Sequence, residues 1–310
     1  MAQMKLTVTI GTYNRPEFIQ KQVKNVLAQL VDGVSLVVFD NCSDIPVESL
    51  FMPAELDKFT IIRNKVNIGR DQNQVRCLEF VDGGWAWTLS DDDTIKSDAI
   101  KTALSLIEEY SDCCYINTCN KKNSLLTSFY ELTDYFKIIG TFGNAFFQSE
   151  CLYNMSKLSN YIFWFNDFLS SQVGQICMVL KYMELNTGEK CLMWNGRLTC
   201  EVQPGGWDLL KFVKNSSILI DKFDYDSNKL KSSLFKAIAD MHLTNLTYSK
   251  YSKTEKIRLL RFIVRRHGRI NILHYNFMTY LGFLANIVMP TPLFFFVKNK
   301  VAMIYNKMKA

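Results

Sequence analysis

The sequence predicts an α/β fold with a mostly parallel central sheet flanked by helices. From residue 5 to about 110, short β-branched runs alternate with longer segments whose apolar residues recur every three or four positions. That alternation is typical of successive β-α-β units. The chain has 310 residues and is 48% hydrophobic, so it is long and apolar enough for one large domain or a domain with an appendage.

The elements of the first 110 residues follow from these patterns in order. The predicted strands cover residues 5–10, 34–39, 59–63 and 85–89. The first helix is expected from Pro16, which suits the first helical position, to Leu30. Two further helices are predicted over about Asp71–Phe80 and Asp98–Tyr110.

The rest of the chain is less regular. A helix is predicted from Asp167 to Met183, with β segments near Asn144–Gln148 and Leu192–Val202. Residues 207–250 again have a helical pattern. We therefore expect an α/β domain over residues 1–205 and a helical extension over residues 206–310.

The net charge of +6 is unevenly distributed. The last 60 residues contain 11 Lys and Arg and one acid, Glu255, so the first 250 residues carry a net charge of −4. A nucleic acid partner is therefore not expected, because the main domain would have to bind a polyanion while being negatively charged itself.

The extension has two features typical of membrane association. Residues 256–269 form a basic amphipathic segment, with Ile257, Leu260, Ile263 and Val264 predicted on one face. Residues 277–297 are strongly apolar, but Pro290 and Pro292 interrupt them before a comfortable membrane-spanning length. We expect peripheral attachment through residues 255–310. Packing of 277–297 in a core or a dimer interface stays open, and a homodimer is compatible with it.

Cysteine usage favours a reducing compartment. The nine cysteines are odd in number and contain no Cys-x-x-Cys pair, which favours neither a disulfide framework nor a zinc site. The strand-like start of the chain does not resemble a signal peptide. We expect a cytoplasmic protein.

Polar segments follow three of the predicted strands, where open α/β sheets bind ligands. The turn Gly11–Pro16 leads into a helix N-terminus, which can bind an anion, although an ordinary turn is the favoured interpretation of this segment taken alone. Asp40 could accept from a base or a ribose hydroxyl, or cap a turn. The triplet Asp91–Asp93 suits Mg²⁺ or Mn²⁺, whereas a solvated acidic loop is the alternative.

In combination, these segments resemble the family 2 glycosyltransferases with the GT-A fold. The resemblance covers roughly residues 4–110. It rests on four segments in the family's order: Thr12-Tyr13-Asn14-Arg15-Pro16, Asp40-Asn41-Cys42-Ser43-Asp44, Arg63-Asn64-Lys65-Val66-Asn67-Ile68-Gly69-Arg70 and Asp91-Asp92-Asp93. Residues 1–110 would then form the nucleotide-sugar-binding part of the domain, and residues 111–205 the acceptor part.

The resemblance implies a donor site with a divalent cation. The residues that it assigns to the nucleotide sugar are Thr12, Tyr13, Asn14, Arg15, Asp40, Asn41, Arg63, Asn67, Gly69, Arg70, Asp91 and Asp92. It places Mn²⁺ or Mg²⁺ on Asp91 and Asp93. Which two aspartates form the family's Asp-x-Asp pair stays open, because Ser90 stands where many members have the first Asp.

The acceptor part matches the family less closely. Members usually have a Glu-Asp dipeptide at the start of a helix, with the Asp as general base, and the best match here is Asn166-Asp167. A helix N-cap is the alternative role for Asp167. Asn144, Trp164 and Trp194 are the candidate acceptor-binding residues.

The implied activity is the inverting transfer of one sugar from a nucleotide-diphosphate sugar, with a UDP-sugar favoured. The expected acceptor is a polyprenyl-diphosphate-linked saccharide at the inner face of the cell membrane, in the synthesis of lipopolysaccharide O-antigen or capsule. The alternative is a non-catalytic scaffold subunit that still binds a nucleotide sugar. A nucleotidyltransferase ranks last, because its glycine-rich loop after the first strand is absent.

Overall fold

The computed structural model describes residues 5–138, 141–145, 147–201, 209–219, 233, 236–243, 251–267 and 284. The strands are β1 (Leu6–Thr12), β2 (Val34–Asp40), β3 (Thr60–Arg63), β4 (Trp85–Ser90), β5 (Thr94–Ile95), β6 (Cys113–Asn117), β7 (Ser124–Leu126), β8 (Cys151–Asn154), β9 (Lys190–Met193) and β10 (Thr199–Glu201). The helices are α1 (Pro16–Leu27), α2 (Pro53–Leu56), α3 (Arg70–Glu79), α4 (Ala99–Glu109), α5 (Phe129–Tyr135), α6 (Thr141–Asn144), α7 (Met155–Leu158), α8 (Ile162–Asp167), α9 (Gly174–Leu185), α10 (Leu209–Ser216) and the basic helix (Lys253–His267). Short 3-10 turns lie at Val47–Leu50, Gln148–Glu150, Ser159–Tyr161 and Leu169–Ser171.

The chain forms two compact units. The first contains Met1–Leu132 and Gly143–Gly206, and the second contains Thr133–Phe142 and Trp207–Ala310. The division of function between residues 1–205 and 206–310 stays a prediction.

An eight-stranded sheet forms the centre of the first unit within the described residues, in the order β3-β2-β1-β4-β8-β6-β9-β7. The β3-β2-β1-β4 half is parallel throughout, whereas β8 is antiparallel to both β4 and β6. Every residue of β2 except Ser35 is buried, as expected for a parallel strand covered on both faces. The predicted α/β fold with a mostly parallel sheet is confirmed.

The segment around Asn144 differs from its prediction. Residues 144–148 were expected to form a strand, but Asn144 ends α6 and Gln148 begins a 3-10 turn, and the strand follows at Cys151–Asn154. Tyr153 of β8 pairs with Ala86 on one side and with Tyr115 on the other. Insertion between two distant strands fixes this position, and such long-range pairing leaves no local periodicity to detect.

The helix predicted from Asp167 to Met183 is also wrong in its start. Asp167 is the last residue of α8, and α9 begins only at Gly174. Gln172 between them adopts a left-handed conformation with φ 63°. A Cβ at Gly174 would lie 2.5 Å from the Phe165 ring, so the missing side chain lets the two helices approach closely. The N-cap alternative for Asp167 is thereby excluded.

The basic helix packs within the second unit. Its buried residues Leu259, Leu260 and Ile263 form an apolar cluster with Val213 and Leu243. Arg258, Arg261 and Arg265 are exposed, and so is Ile257, which the sequence placed on the apolar face. The apolar side of this helix is therefore used in packing.

Among the described residues, we find no helix with the length and apolarity needed to cross a bilayer. The predicted apolar segment 277–297 lies outside the described residues except for residue 284.

Candidate active site

Strand register brings the predicted donor residues to one edge of the sheet. Thr12, the last residue of β1, lies beside Asp40, the last residue of β2. Asp40 in turn pairs with Arg63 at the end of β3, and Gly11 pairs with Ser90 at the end of β4. Parallel strands end together, so the four segments of the family resemblance meet here.

The acidic turn Asp91–Asp93 is the centre of this edge. Asp91 accepts a hydrogen bond from Thr12 Oγ1 at 2.6 Å and one from Arg15 Nη1 at 3.0 Å. Asp92 accepts from the same Arg15 nitrogen at 2.7 Å and from Ser90 Oγ at 2.7 Å. Thr12, Arg15, Asp91 and Asp92 thus form one connected group, and their role in donor binding stays a prediction.

Asp93 has a different environment from the other two aspartates. Its Oδ2 accepts a hydrogen bond of 2.6 Å from Ser149 Oγ, and no Lys or Arg pairs with it in the described part of the chain. Burial raises the pKa of Asp93 to about 6, with smaller upward contributions from the charges of Asp92, Glu150 and Asp91, and the Ser149 hydrogen bond opposes them. The carboxylate is therefore electrostatically unsatisfied at neutral pH.

Asp91 has more groups that stabilise its negative charge than Asp93 has. Burial raises its pKa, while the hydrogen bond from Thr12 and the charge of Arg15 lower it. The pKa remains raised overall, so Thr12 and Arg15 compensate the negative charge of Asp91 only in part.

The acidic turn suits a divalent cation that takes part of its ligands from elsewhere. Within the described residues, no group of three or more His, Cys, Asp and Glu side chains is arranged to hold a metal ion. Mg²⁺ and Mn²⁺, however, commonly use one or two protein carboxylates and complete their shell with phosphate oxygens and water. The buried and unpaired Asp93 fits that role.

Asp40 organises the loop after β2. Its side chain is fully buried, accepts from the backbone N–H groups of Ser43 at 2.8 Å and Val47 at 3.3 Å, and forms an ion pair with Arg63. Arg63 also donates to the Ser43 carbonyl at 2.7 Å. Asp40 and Arg63 line a cavity of about 220 Å³ whose apolar wall includes Phe59.

A second cavity adjoins the acidic turn. It has a volume of about 190 Å³ and is lined by Thr12, Asn14, Arg15, Pro16, Ile19, Ser43, Asp44, Ile45, Val47 and Leu50. Asn14 adopts a left-handed φ of 53°, which Asn tolerates better than most residues, and its backbone N–H donates to Ser43 Oγ at 3.0 Å. Tyr13 beside it is 42% exposed.

Asparagine side chains tie the loop after β3 to the loop after β2. Asn41 Nδ2 donates to Asn67 Oδ1 at 2.8 Å, and Asn41 Oδ1 accepts from Asn64 Nδ2 at 2.9 Å. Asn67 also accepts from the N–H of Gly69, whose φ of 88° favours glycine, just before α3 begins at Arg70. Arg70 itself pairs with Asp71 at 2.7 Å.

Of the predicted acceptor residues, Asp167 and Trp164 lie on α8. Asp167 is exposed, and its neighbour Asn166 accepts a hydrogen bond of 3.2 Å from Gln72 Nε2 of α3. Lys181 Nζ lies 5.0 Å from the centroid of the Trp164 ring, which is a cation–π contact. The Nε1 atom of Trp164 is buried and has no hydrogen-bond partner among the described residues. The Asn166-Asp167 end of α8 is therefore hydrogen-bonded to α3, the helix that begins at Arg70.

Trp194 and Asn144 have structural contacts. The Trp194 ring lies 2.0 Å from the position that a Cβ on Gly196 would take, so it covers that glycine. Asn144 Nδ2 donates to the Cys119 carbonyl at 2.6 Å, and its own carbonyl accepts from Asn117. Acceptor binding by either residue stays a prediction.

Two buried residues of the site were missed by sequence reasoning. Ser149 Oγ donates to Asp93 and accepts from the Ser90 N–H at 3.0 Å, so it links the acidic turn to the end of β4. Glu150 is fully buried and accepts from the Leu198 N–H at 2.8 Å and from Thr118 and Thr199. A Ser-Glu pair before a strand has no distinctive local pattern, and only the tertiary contacts reveal its role.

A sheet of this topology, with an acidic turn and two cavities along its carboxyl edge, belongs to the GT-A fold class. Residues 7–159 match the family model described as Glycosyl transferase family 2. Residues 7–159 thus correspond to a glycosyl transferase family 2 domain, in agreement with the resemblance found in the sequence.

Individual relatives agree with this assignment. The chain is 25% identical over 126 residues to abequosyltransferase RfbV of Salmonella typhimurium strain LT2, a match that covers 39% of this chain and 37% of the relative. Among solved structures, S. aureus TarS matches 92% of this chain and 55% of its own, with TM-score 0.59 and 14% identity. TarS 1–349 in complex with UDP-GlcNAc matches 89% and 88%, with TM-score 0.59 and 13% identity. The mannosyltransferase PcManGT from Pyrobaculum calidifontis, in complex with GDP-Man and Mn²⁺, matches 92% and 86%, with TM-score 0.51 and 13% identity.

The extent of these matches limits what they show. The chain spans little more than a third of the curated relative and about half of the first TarS structure. At such low identity the solved structures show the fold alone.

Proposed function

We propose that the protein is an inverting glycosyltransferase of bacterial cell-surface polysaccharide synthesis. It transfers one sugar from a nucleotide-diphosphate sugar, with a UDP-sugar favoured, to a hydroxyl of a polyprenyl-diphosphate-linked saccharide of the O-antigen or capsule type. The observation that carries this proposal is the buried Asp93, which has no ion-pair partner among the described residues, within the acidic turn of the segment that matches family 2. The named activity of the RfbV relative supports the polysaccharide setting, and the neighbours bound to UDP-GlcNAc and GDP-Man support a nucleotide-sugar donor.

The two cavities divide the donor between them in this proposal. Asp40 and Arg63 face the base and ribose, because polar groups set in an apolar-walled cavity fix the orientation of a flat ligand. The Thr12 and Arg15 side of the edge faces the diphosphate and sugar. Mn²⁺ or Mg²⁺ held by Asp91 and Asp93 would supply Lewis-acid stabilisation of the charge that develops on the departing nucleotide.

Asp167 is the proposed general base. It is an exposed carboxylate at the end of α8, and its neighbour Asn166 is held by Gln72 of the helix that starts at Arg70. A base in this position accepts the proton of the acceptor hydroxyl as that oxygen attacks the anomeric carbon. One in-line displacement with a single base inverts the configuration at that carbon. Asn144, Trp164 and Trp194 are proposed to contact the acceptor.

Membrane attachment, in this proposal, is electrostatic. The exposed Arg258, Arg261 and Arg265 of the basic helix would face the anionic inner surface of the cell membrane, whereas the apolar side of that helix is packed in the second unit. Each basic residue near an anionic surface contributes about 1 kcal/mol of attraction. The protein would then lie in the cytoplasm at the site of its lipid-linked acceptor.

A non-catalytic scaffold that binds a nucleotide sugar is the second candidate. It is favoured by Asn166, which stands where family members have Glu, and by Ser90, which stands where many have Asp. A thermal-shift panel of UDP-, GDP-, CDP- and dTDP-sugars, each with and without Mn²⁺, tests the donor site common to both candidates. We expect one nucleotide class to raise the melting temperature in a Mn²⁺-dependent manner, and no shift with any of them would contradict both.

A further inference from the structure

One arginine neutralises part of the acidic turn from within the protein. Arg15 Nη1 lies 3.0 Å from Asp91 Oδ1 and 2.7 Å from Asp92 Oδ2. Its guanidinium carbon lies 5.8 Å from the centroid of the Phe18 ring, which adds a cation–π contact. The guanidinium thus contacts two carboxylates and an aromatic ring.

We propose that Arg15 is an internal counterion of the acidic turn that competes with the divalent cation for Asp91. The inference rests on the proposed function, because it assumes that a cation binds to Asp91 and Asp93. It assigns Arg15 a role distinct from simple donor binding: Arg15 keeps the turn compensated before the cation arrives and weakens cation binding by the protein alone.

Charge and exposure support the competition. The Asp91 side chain is 6% exposed, so its oxygens have little access to water, and Arg15 and Thr12 each donate to one of them. A cation that coordinates Asp91 would come close to the positive guanidinium, and at such short range in a partly buried site like charges repel each other. Arg15 directly precedes α1, and its side chain is 45% exposed. The long side chain can therefore move away from Asp91 while the backbone stays in place.

The size of the effect follows from the same geometry. Removal of Arg15 leaves two negative charges without their partner and removes the repulsion felt by an incoming cation. Because Arg15 is half exposed, solvent screens much of this interaction. We expect the dissociation constant of Mn²⁺ to fall by about tenfold rather than by the larger factor of a fully buried pair.

The test is a titration of the folded protein with Mn²⁺ alone, followed through the electron paramagnetic resonance signal of free Mn²⁺. Arg15→Gln is compared with the wild type, and Arg15→Met, which keeps the apolar stem over Phe18, is the second variant should the first fail to fold. Lys190→Gln is the matched control. It also removes a basic side chain from an ion pair, because Lys190 Nζ lies 2.6 Å from Asp112 Oδ2, away from the acidic turn. We expect about tenfold tighter binding in the Arg15 variants and no change in Lys190→Gln.

Equal affinity of the wild type and the Arg15 variants, or weaker binding in the variants, would overturn the inference. Asp93→Asn separates this failure from failure of the metal site itself. If Asp93→Asn abolishes Mn²⁺ binding while the Arg15 variants equal the wild type, the site stands and only the competition is wrong. If Asp93→Asn binds Mn²⁺ as the wild type does, the proposed cation site is wrong, and the inference falls with it.

Discussion

Asp93→Asn should stabilise the protein at neutral pH in the absence of metal, although it removes a proposed metal ligand. The folded state raises the pKa of Asp93 from 3.8 to about 6, chiefly through burial. A folded pKa above the unfolded one means that the folded state holds the proton more tightly. The contribution of Asp93 to the free energy of unfolding is therefore fully present below about pH 4 and is lost as the pH rises through about 6.

The magnitude follows from the size of that shift. Roughly two pKa units correspond to about 3 kcal/mol of unfolding free energy lost at pH 7.5. An Asn removes the charge but adds an amide group that needs its own acceptors, so the net gain should be about 1 to 2 kcal/mol. That corresponds to a rise of about 3 to 6 °C in melting temperature.

The assay is thermal or urea unfolding of wild type and variant in EDTA at pH 7.5 and at pH 4. We expect the stabilisation at pH 7.5 and almost none at pH 4, where Asp93 is protonated in the wild type. Asp112→Asn is the control. Lys190 lowers the pKa of Asp112, so removal of the Asp112 charge should not stabilise the fold. A variant less stable than the wild type at pH 7.5 would refute the conclusion that Asp93 is electrostatically unsatisfied.

Three further predictions concern the support of the acidic turn, the general base and the membrane. Ser149→Ala should lower the free energy of unfolding in urea by about 2 kcal/mol and weaken Mn²⁺ binding. The substitution removes the hydrogen bond to Asp93 and leaves the Ser90 N–H without its acceptor. Unchanged Mn²⁺ affinity would limit Ser149 to a structural role. Asp167→Asn should leave the donor-induced thermal shift intact while sugar transfer to an acceptor falls at least about a hundredfold, and retained transfer would require a different base. Joint replacement of Arg258, Arg261 and Arg265 by Gln should abolish sedimentation with vesicles that contain anionic lipid. Replacement of the equally exposed Lys21, Lys24 and Lys58 is the matched control in that assay, and a loss of binding there instead would place the contact on the first unit.

The parallel half of the sheet could be predicted because its signals are local. β1, β2, β3 and β4 begin and end within two residues of the predicted strands, since each is a short apolar run rich in β-branched or aromatic residues and bounded by turn residues. The polar residues that follow these strands meet because parallel strands end at the same edge of the sheet, so their sequence positions alone predict that Thr12, Arg15, Asp91 and Asp92 lie close together.

The acceptor half could not be predicted in the same way. Its strand β8 lies between β4 and β6 and is fixed by partners about 40 and 70 residues away in the chain. The break between α8 and α9 depends on the contact of Gly174 with Phe165, and periodicity alone reads the two helices as one with Asp167 at its start. Ser149 and Glu150 become visible only when that half of the sheet is assembled.

The central claim is that the acidic turn supports sugar transfer, and nucleotide release tests it most directly. Purified wild type and Asp93→Asn would be incubated with Mn²⁺ and the donor class identified by thermal shift, and release of the free nucleoside diphosphate would be measured over time. We expect metal-dependent release by the wild type and at least about a hundredfold less by Asp93→Asn. Equal release by the two proteins, or a wild type that binds the donor and releases nothing even with a lipid-linked saccharide present, would contradict it.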